Sequence, residues 1–356
     1  MTENISPLYE ACRNGCLSAV QELLPRLSVD EINRIESNGS TCLHAACYFN
    51  HPRIVQLLLE SGAVRTILNR YNQTPLDAAA SLQIKELFLR SVAAATERFL
   101  DDFPYETIEW VSVEDAYRAK VNRNDIARLK YKTTFDAAIS ILDDARFQTI
   151  SGRTQLEYFL KESIRTIDPL WLIKAYSAET GFYRAINEAL AKGKSSFIWN
   201  NPENFLKYLG CLYHNESLKK YRYFGTSYRG MKLCKEDFEK NYQIGKTFLI
   251  KPLTSTSKNR DVGEFYASAH STKDCSTISV LCTYIIPEVS VTCNETSVAL
   301  DISSISEYPS EAEVLILPHV SFTVQSVKHL TTEITEIELL YYEVDAEKLT
   351  LKNSVT

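Results

Sequence analysis

The chain has 356 residues, 45% of them apolar and 24% charged, and a formal net charge of −6. That length exceeds one ordinary core and predicts two domains, while the interspersed, mildly acidic charge argues against a nucleic-acid partner gripped through its phosphates. No apolar run approaches the ~18 residues of a membrane span, and the N-terminus lacks the basic start and apolar stretch of a secretion signal, so no membrane association is expected.

The first elements in chain order repeat. Residues 39–46, Gly-Ser-Thr-Cys-Leu-His-Ala-Ala, recur at 72–79 as Asn-Gln-Thr-Pro-Leu-Asp-Ala-Ala, which sets Thr41 and Thr74 33 residues apart. A degenerate earlier copy begins at Ser6-Pro7-Leu8, and each copy leads into a second apolar helix, over 19–24, 54–59 and 84–89. A threonine at the helix start supplies an N-cap, proline in the first turn loses no needed donor, and the alanine pair lets helices approach closely. Period and motif together resemble ankyrin repeats over roughly residues 5–91. That resemblance implies a helical stack that recruits a protein partner.

Residues 92–195 read mostly as helices, with apolar spacing at Phe135–Leu142, Leu156–Leu160 and Leu172–Asn187, and with Asp101–Pro104 as a breaker. From about 221 the texture changes to Val-, Ile-, Thr- and Tyr-rich runs, at 221–230, 247–251, 277–287, 297–300, 312–318, 322–331 and 334–344. The expected architecture is therefore multidomain. An all-α repeat stack (1–95) and a linker or capping segment (96–110) precede an α+β domain (111–350), a helical lobe plus a mostly antiparallel sheet.

Three motifs fall on the strand-like part in order: Tyr228-Arg229-Gly230, then Ser255-Thr256-Ser257, then the stretch from Ser306 to Pro318 that holds Glu311 and Glu313. Two carboxylates two apart on a strand point to one face, and like charges so close raise at least one pKa unless cations compensate. A carboxylate pair in a cleft suits cleavage of a glycosidic bond, where cationic charge develops on the sugar. Nine cysteines without a CxxC pair and six scattered histidines predict reduced thiols in a cytosolic or nuclear setting, with no metal site. No Gly-rich dinucleotide fingerprint is present, so a dinucleotide would lie in a different cleft.

The order and surroundings of these motifs, over about residues 100–345, resemble the Arg-Ser-Glu class of mono-ADP-ribosyltransferases with the arginine-directed Glu-x-Glu. The helical stretch with Tyr176, Phe182, Tyr183 and Asn187 is similar to that family's lead-in. The resemblance implies NAD as co-substrate, no metal, and a protein acceptor bearing arginine. It makes Glu313 the catalytic glutamate at the ribose 2′-hydroxyl. Glu311 becomes the acceptor-side glutamate, a base for a guanidinium too basic to attack unaided. Arg229 would contact phosphate and ribose, with Tyr228 before it, and the Gly230 backbone would hold the carboxamide. Ser255 would position the glutamate and ribose while Thr256 and Ser257 brace the strand. Phe265 or Tyr266 would stack on nicotinamide, and Tyr308 would meet the acceptor. All are expected to converge around one dinucleotide-sized hollow. Water as acceptor would make the same site an NAD glycohydrolase, and a degenerate domain would leave an ankyrin adaptor. The joint presence of Arg229, Ser255, Glu311 and Glu313 argues against degeneration, and the Glu-x-Glu pair favours transfer over hydrolysis.

Overall fold

The computed structural model describes residues 5–91, 94, 107–128, 140–192, 203–213, 215–268, 276–288, 296–331 and 333–342. The expected breaker at 101–104 and most of the expected helix at 135–142 lie outside them.

The N-terminal block is assembled from short helices whose ends are settled locally. Ser6 accepts from the Tyr9 N–H to open α1 (Pro7–Asn14), which α2 (Leu17–Leu23) follows. Thr41 opens α3 (Cys42–Tyr48) by accepting from the His44 N–H, and His44 Nδ1 returns the bond to the Thr41 N–H. Then α4 (Pro52–Glu60) starts on proline. The third copy departs from the expected helix: 75–78 form only a turn, with Thr74 and Asp77 each bonding the other's backbone N–H. A terminal repeat has no further neighbour against which to bury a longer helix, and the chain restarts at Ser81 with α5 (Leu82–Glu86). Leu8, Cys12, Val20, Leu43, Ala46, Val55 and Leu58 close this block's own core.

The second unit stacks helices on a curved sheet. Its helices are α6 (Val113–Arg128), α7 (Arg153–Thr166), α8 (Leu170–Ser177), α9 (Phe182–Ala191), α10 (Glu203–Tyr213), α11 (Lys235–Asn241) and α12 (Arg260–Ser268). The strands are β1 (Ile108–Trp110), β2 (Gly225–Cys234), β3 (Thr247–Ile250), β4 (Thr254–Ser257), β5 (Thr277–Ile286), β6 (Ala299–Asp301), β7 (Glu313–Ile316), β8 (Val320–His329) and β9 (Ile334–Tyr341). They lie in the order β1-β3-β8-β9-β5-β2-β4-β7-β6, antiparallel except for β5 with β9. Residues 108–110, read from sequence as part of a linker, pair with β3 as an edge strand.

Alternation along the strands feeds two cores. On β7, Leu315 joins the helical lobe with Phe159, Tyr176, Phe182 and Phe205, whereas Val314 and Ile316 join the opposite face with Phe248, Val280 and Phe322. The helical lobe's core also takes Val64 and Ile67 from the repeat block, so the two units share buried apolar surface. Among the described residues no helix is long and apolar enough to cross a membrane.

Candidate active site

Strand β2 pairs with β5 along its whole length but meets β4 at one position, Tyr228 opposite Ser257. Continued, that register would set Gly230 opposite Ser255, yet no ladder forms there. The strands part at the first two motifs. The Arg229 guanidinium bridges the parting, its Nη1 donating to the Ser255 carbonyl at 2.6 Å.

Arg229 reaches this seam from an unexpected side. Pairing puts Tyr228, Ser257 and Glu313 on one face of the pleat, and Arg229 on the other with Met231 and Cys282. Its side chain is buried and lines a cavity of about 20 Å³ with Met231, Phe248 and Cys282. The expected convergence around one dinucleotide-sized hollow is corrected accordingly: the Arg229 side chain faces away from Ser257 and Glu313 and reaches the seam through the Ser255 carbonyl. Gly230 also serves packing, since a Cβ there would lie 2.2 Å from the Ala267 nitrogen and 2.3 Å from the Gly263 oxygen of α12.

The second and third motifs are tied to each other. Thr256 Oγ1 donates to the Val314 carbonyl at 2.9 Å, and Ser257 Oγ to the Glu311 carbonyl at 2.8 Å. Tyr176 and Asn187 fix the approach to β4 from the helical lobe, both donating to the Leu253 carbonyl. Glu313 opens β7 opposite Ser257, wholly buried, with Ser306 Oγ 3.4 Å from its Oε2. The Ser255 hydroxyl is buried at the seam without a hydrogen-bond partner, as is that of Ser227 on β2. An unpartnered buried hydroxyl costs about 1–3 kcal/mol, so this seam suits a polar ligand that can bond to Ser255.

The two glutamates do not share a strand, contrary to the sequence reading. Glu311 ends a 3-10 turn, Pro309–Glu311, and Ala312 follows in the left-handed region at φ 46° before β7 starts at Glu313. The alternation that would align them does not apply across that turn. Glu311 turns to the repeat block, where Arg90 Nε donates to its Oε1 at 2.7 Å and Nη2 to its Oε2 at 3.3 Å. Arg90 Nη1 donates to Glu179 Oε2 at 2.6 Å and Nη2 to the Ser177 carbonyl at 2.9 Å. Tyr308 lies under this guanidinium, its ring centroid 3.8 Å from Cζ, and Arg65 Cζ is 4.6 Å from the same centroid.

Glu307, also wholly buried, accepts from the Arg65 N–H at 2.8 Å and from Thr66 Oγ1 at 2.5 Å. Lys174 donates to Thr66 Oγ1 in turn; burial pushes its ammonium pKa down, against the opposing pull of Glu307. The segment 306–311 is thus held to the repeat block at both ends.

Of the two candidate aromatics, Tyr266 is buried and its hydroxyl is pushed up to about 12, by burial first and then by Glu311, with Arg90 opposing. Its hydroxyl thus feels the charges of the Glu311–Arg90 pair. Phe265 is half exposed and meets Tyr266 edge-on at 5.3 Å. Sequence reasoning missed Arg90, Ser177, Glu179 and Glu307. Arg90 closes a repeat and Glu179 falls between two helices, and nothing local joins them. Among the described residues no cluster of three or more potential metal ligands occurs.

Comparison with known proteins finds two family matches in the chain. Residues 167–344 match the family model described as NAD:arginine ADP-ribosyltransferase, and residues 6–90 match ankyrin repeats in three copies. A probable 26S proteasome regulatory subunit, p28, of Saccharomyces cerevisiae is 38% identical over 22% of this chain and 34% of its own length. The chain spans 34%, 22% and 10% of the first three curated relatives it matches. Among solved structures, the ADP-ribosyltransferase Vis in complex with the M6 inhibitor is 19% identical over 72% of this chain and 88% of its own, with a TM-score of 0.30. The type III effector XopAI of Xanthomonas axonopodis pv. citri is 14% identical over 67% and 97%, with a TM-score of 0.39.

Proposed function

We propose, for a chain that belongs to the NAD:arginine ADP-ribosyltransferase family, that it cleaves the nicotinamide–ribose bond of NAD and passes ADP-ribose to an arginine of a protein brought by the ankyrin block. The observation that carries the choice of acceptor is the grip of Glu311 on a planar guanidinium through both carboxylate oxygens. A bidentate fork of this kind selects guanidinium over ammonium.

Glu313 lies one strand over from the seam and shares with the unpartnered Ser255 hydroxyl the face of the sheet on which the nicotinamide ribose would lie. As the ribose C1′–nitrogen bond breaks, nicotinamide leaves with the bonding pair and positive charge builds on the ribose. A wholly buried carboxylate stabilises that charge more than a solvated one does. A guanidinium nitrogen then attacks C1′ and gives its proton to Glu311, which releases it to solvent. Arg229 acts as a positioning residue that holds the Ser255 backbone, with Thr256 and Ser257 bracing β4 against the glutamate segment. A cytosolic or nuclear setting belongs to the same proposal.

The test incubates the full chain with adenine-labelled NAD and either agmatine or cell-extract protein. Mass spectrometry should find ADP-ribosyl-agmatine, and protein label should be lost to hydroxylamine. Label that resists hydroxylamine and maps to cysteine or asparagine would overturn the arginine assignment. Intact NAD in every condition would overturn the enzyme.

A further inference from the structure

The guanidinium that Glu311 holds belongs to the chain itself, at the last residue of the repeat match. We propose that Glu311, Glu179, the Ser177 carbonyl and the Tyr308 ring form a subsite for an alkylguanidinium, and that Arg90 fills it in cis as a stand-in for the acceptor. The inference rests on the reading of Glu311 as the acceptor-side carboxylate.

Four observations support it. The groups that grip come from the transferase unit, and the group gripped comes from the repeat block. The set is complementary to guanidinium in particular: a fork on two carboxylate oxygens, a second carboxylate on the far nitrogen, and a ring face beneath the plane. The Ser177 carbonyl ends α8, where backbone carbonyls lack helical partners and the helix dipole favours a cation. Finally, a cavity of about 530 Å³ at the junction of the two units is lined by Glu179 and Tyr308 on one side and by Gln56, Arg65 and Leu87 on the other. It gives Arg90 space to withdraw into and an incoming side chain a route to the same subsite.

Arg90 is held as an occupant and not as a nucleophile. All three of its nitrogens donate to the subsite, and its side chain is 1% exposed. External arginine and Arg90 therefore exclude one another at Glu311. Transfer requires the end of the repeat block to release its hold, whereas attack by water on the ribose does not.

The test compares the full-length wild type with Arg90→Ala and Arg90→Lys. The lysine keeps a cation beside the buried carboxylates while losing the fork, which guards against an alanine variant that fails to fold. Binding of agmatine is measured by calorimetry without NAD, and transfer to agmatine and acceptor-free nicotinamide release are measured with it. The expected result is agmatine affinity at least tenfold higher in R90A than in wild type, with R90K between them, and nicotinamide release changed less than threefold. Agmatine binding equal in all three folded proteins, or weaker in the variants, overturns the subsite. Tighter agmatine binding in the variants without NAD cleavage in any of the three overturns the proposed activity and leaves the subsite standing.

Discussion

The donor side and the acceptor side of the site are built by opposite means. Around Glu313 the bonds stay within the transferase unit: Arg229 to Ser255, Ser257 to the Glu311 carbonyl, Ser306 to Glu313. Around Glu311 they cross between units, joining Arg90 to Glu311 and Arg65 and Thr66 to Glu307 over more than 200 residues of chain. The donor side is therefore set once the sheet has its register. The acceptor side depends on where the repeat block sits, and Val64 and Ile67 in the shared core help fix that seat. On the proposed function, the difference places bond cleavage under the control of one unit and the choice of acceptor under the control of two.

The sharpest way to break this comparison is to neutralise each glutamate in turn. Glu313→Gln keeps the volume of a wholly buried side chain and removes its charge. Loss of a preorganised electrostatic partner of the developing cation should lower nicotinamide release about 10³-fold, read by chromatography with the melting temperature as a control for folding. Glu311→Gln should reduce transfer to agmatine about 10²-fold, the size of a lost general base, and leave nicotinamide release within about threefold. Equal losses of release and transfer from both variants would erase the distinction between the two sides.

The next largest effect concerns stability. Arg90→Ala leaves the Glu311 side chain, 10% exposed, without the cation that accompanies its burial, while Glu179 at 39% can turn to solvent. Removing one partner of a buried ion pair costs about 3–5 kcal/mol, and the exposure of Glu179 puts this case near the lower end. Urea unfolding should show that loss for R90A and a smaller one for R90K. Loss of less than about 0.5 kcal/mol in both would mean that the junction contributes little to holding the units together.

A smaller effect appears in the pH dependence of stability. His319 lies between β7 and β8, buried at φ 61°, with Arg123 Nη1 on its carbonyl and the Tyr213 hydroxyl 3.5 Å from Nδ1. Its pKa is lowered to about 3, by burial first and then by Arg123 and Lys251. The unfolded chain takes up this proton below the ordinary histidine value near 6.5, so the contribution is complete above that pH and falls away toward 3. At about 1.4 kcal/mol per unit, roughly 2 kcal/mol should go between pH 6.5 and 5. His319→Asn, which tolerates the left-handed backbone, should flatten that slope in urea titrations. An unchanged slope would assign the acid sensitivity elsewhere.

What was legible in the sequence follows from how local each cause is. The repeat caps at Ser6 and Thr41 depend on residues three apart, and the apolar strands announce themselves by composition. Strand β4, with its sequence Thr-Ser-Thr-Ser, is wholly buried yet has no apolar alternation, so it read only as a motif. The shared face expected of Glu311 and Glu313 failed on one residue, Ala312, whose left-handed backbone resets the pleat. The Arg90–Glu311 pair joins positions 221 apart, and neither residue carries a local sign of the other.

Phe265 offers the smallest effect and a direct reading of the donor side. It is 50% exposed on α12, beside the buried Tyr266, and packs into neither large core. Replacing an exposed residue of this kind moves stability by no more than about 0.5 kcal/mol, so Phe265→Ala should melt with the wild type. If the ring stacks on nicotinamide, its loss should raise the KM for NAD about tenfold at unchanged kcat, the size of an aromatic contact of about 0.5–1.5 kcal/mol. Tyr266→Phe, which removes only a hydroxyl that the charges of Glu311 and Arg90 influence, should then alter the agmatine KM and leave that for NAD alone. The reverse pattern would exchange the two aromatics between the sides, because a buried ring that governs NAD and an exposed ring that governs agmatine cannot both fit a donor side enclosed by one unit.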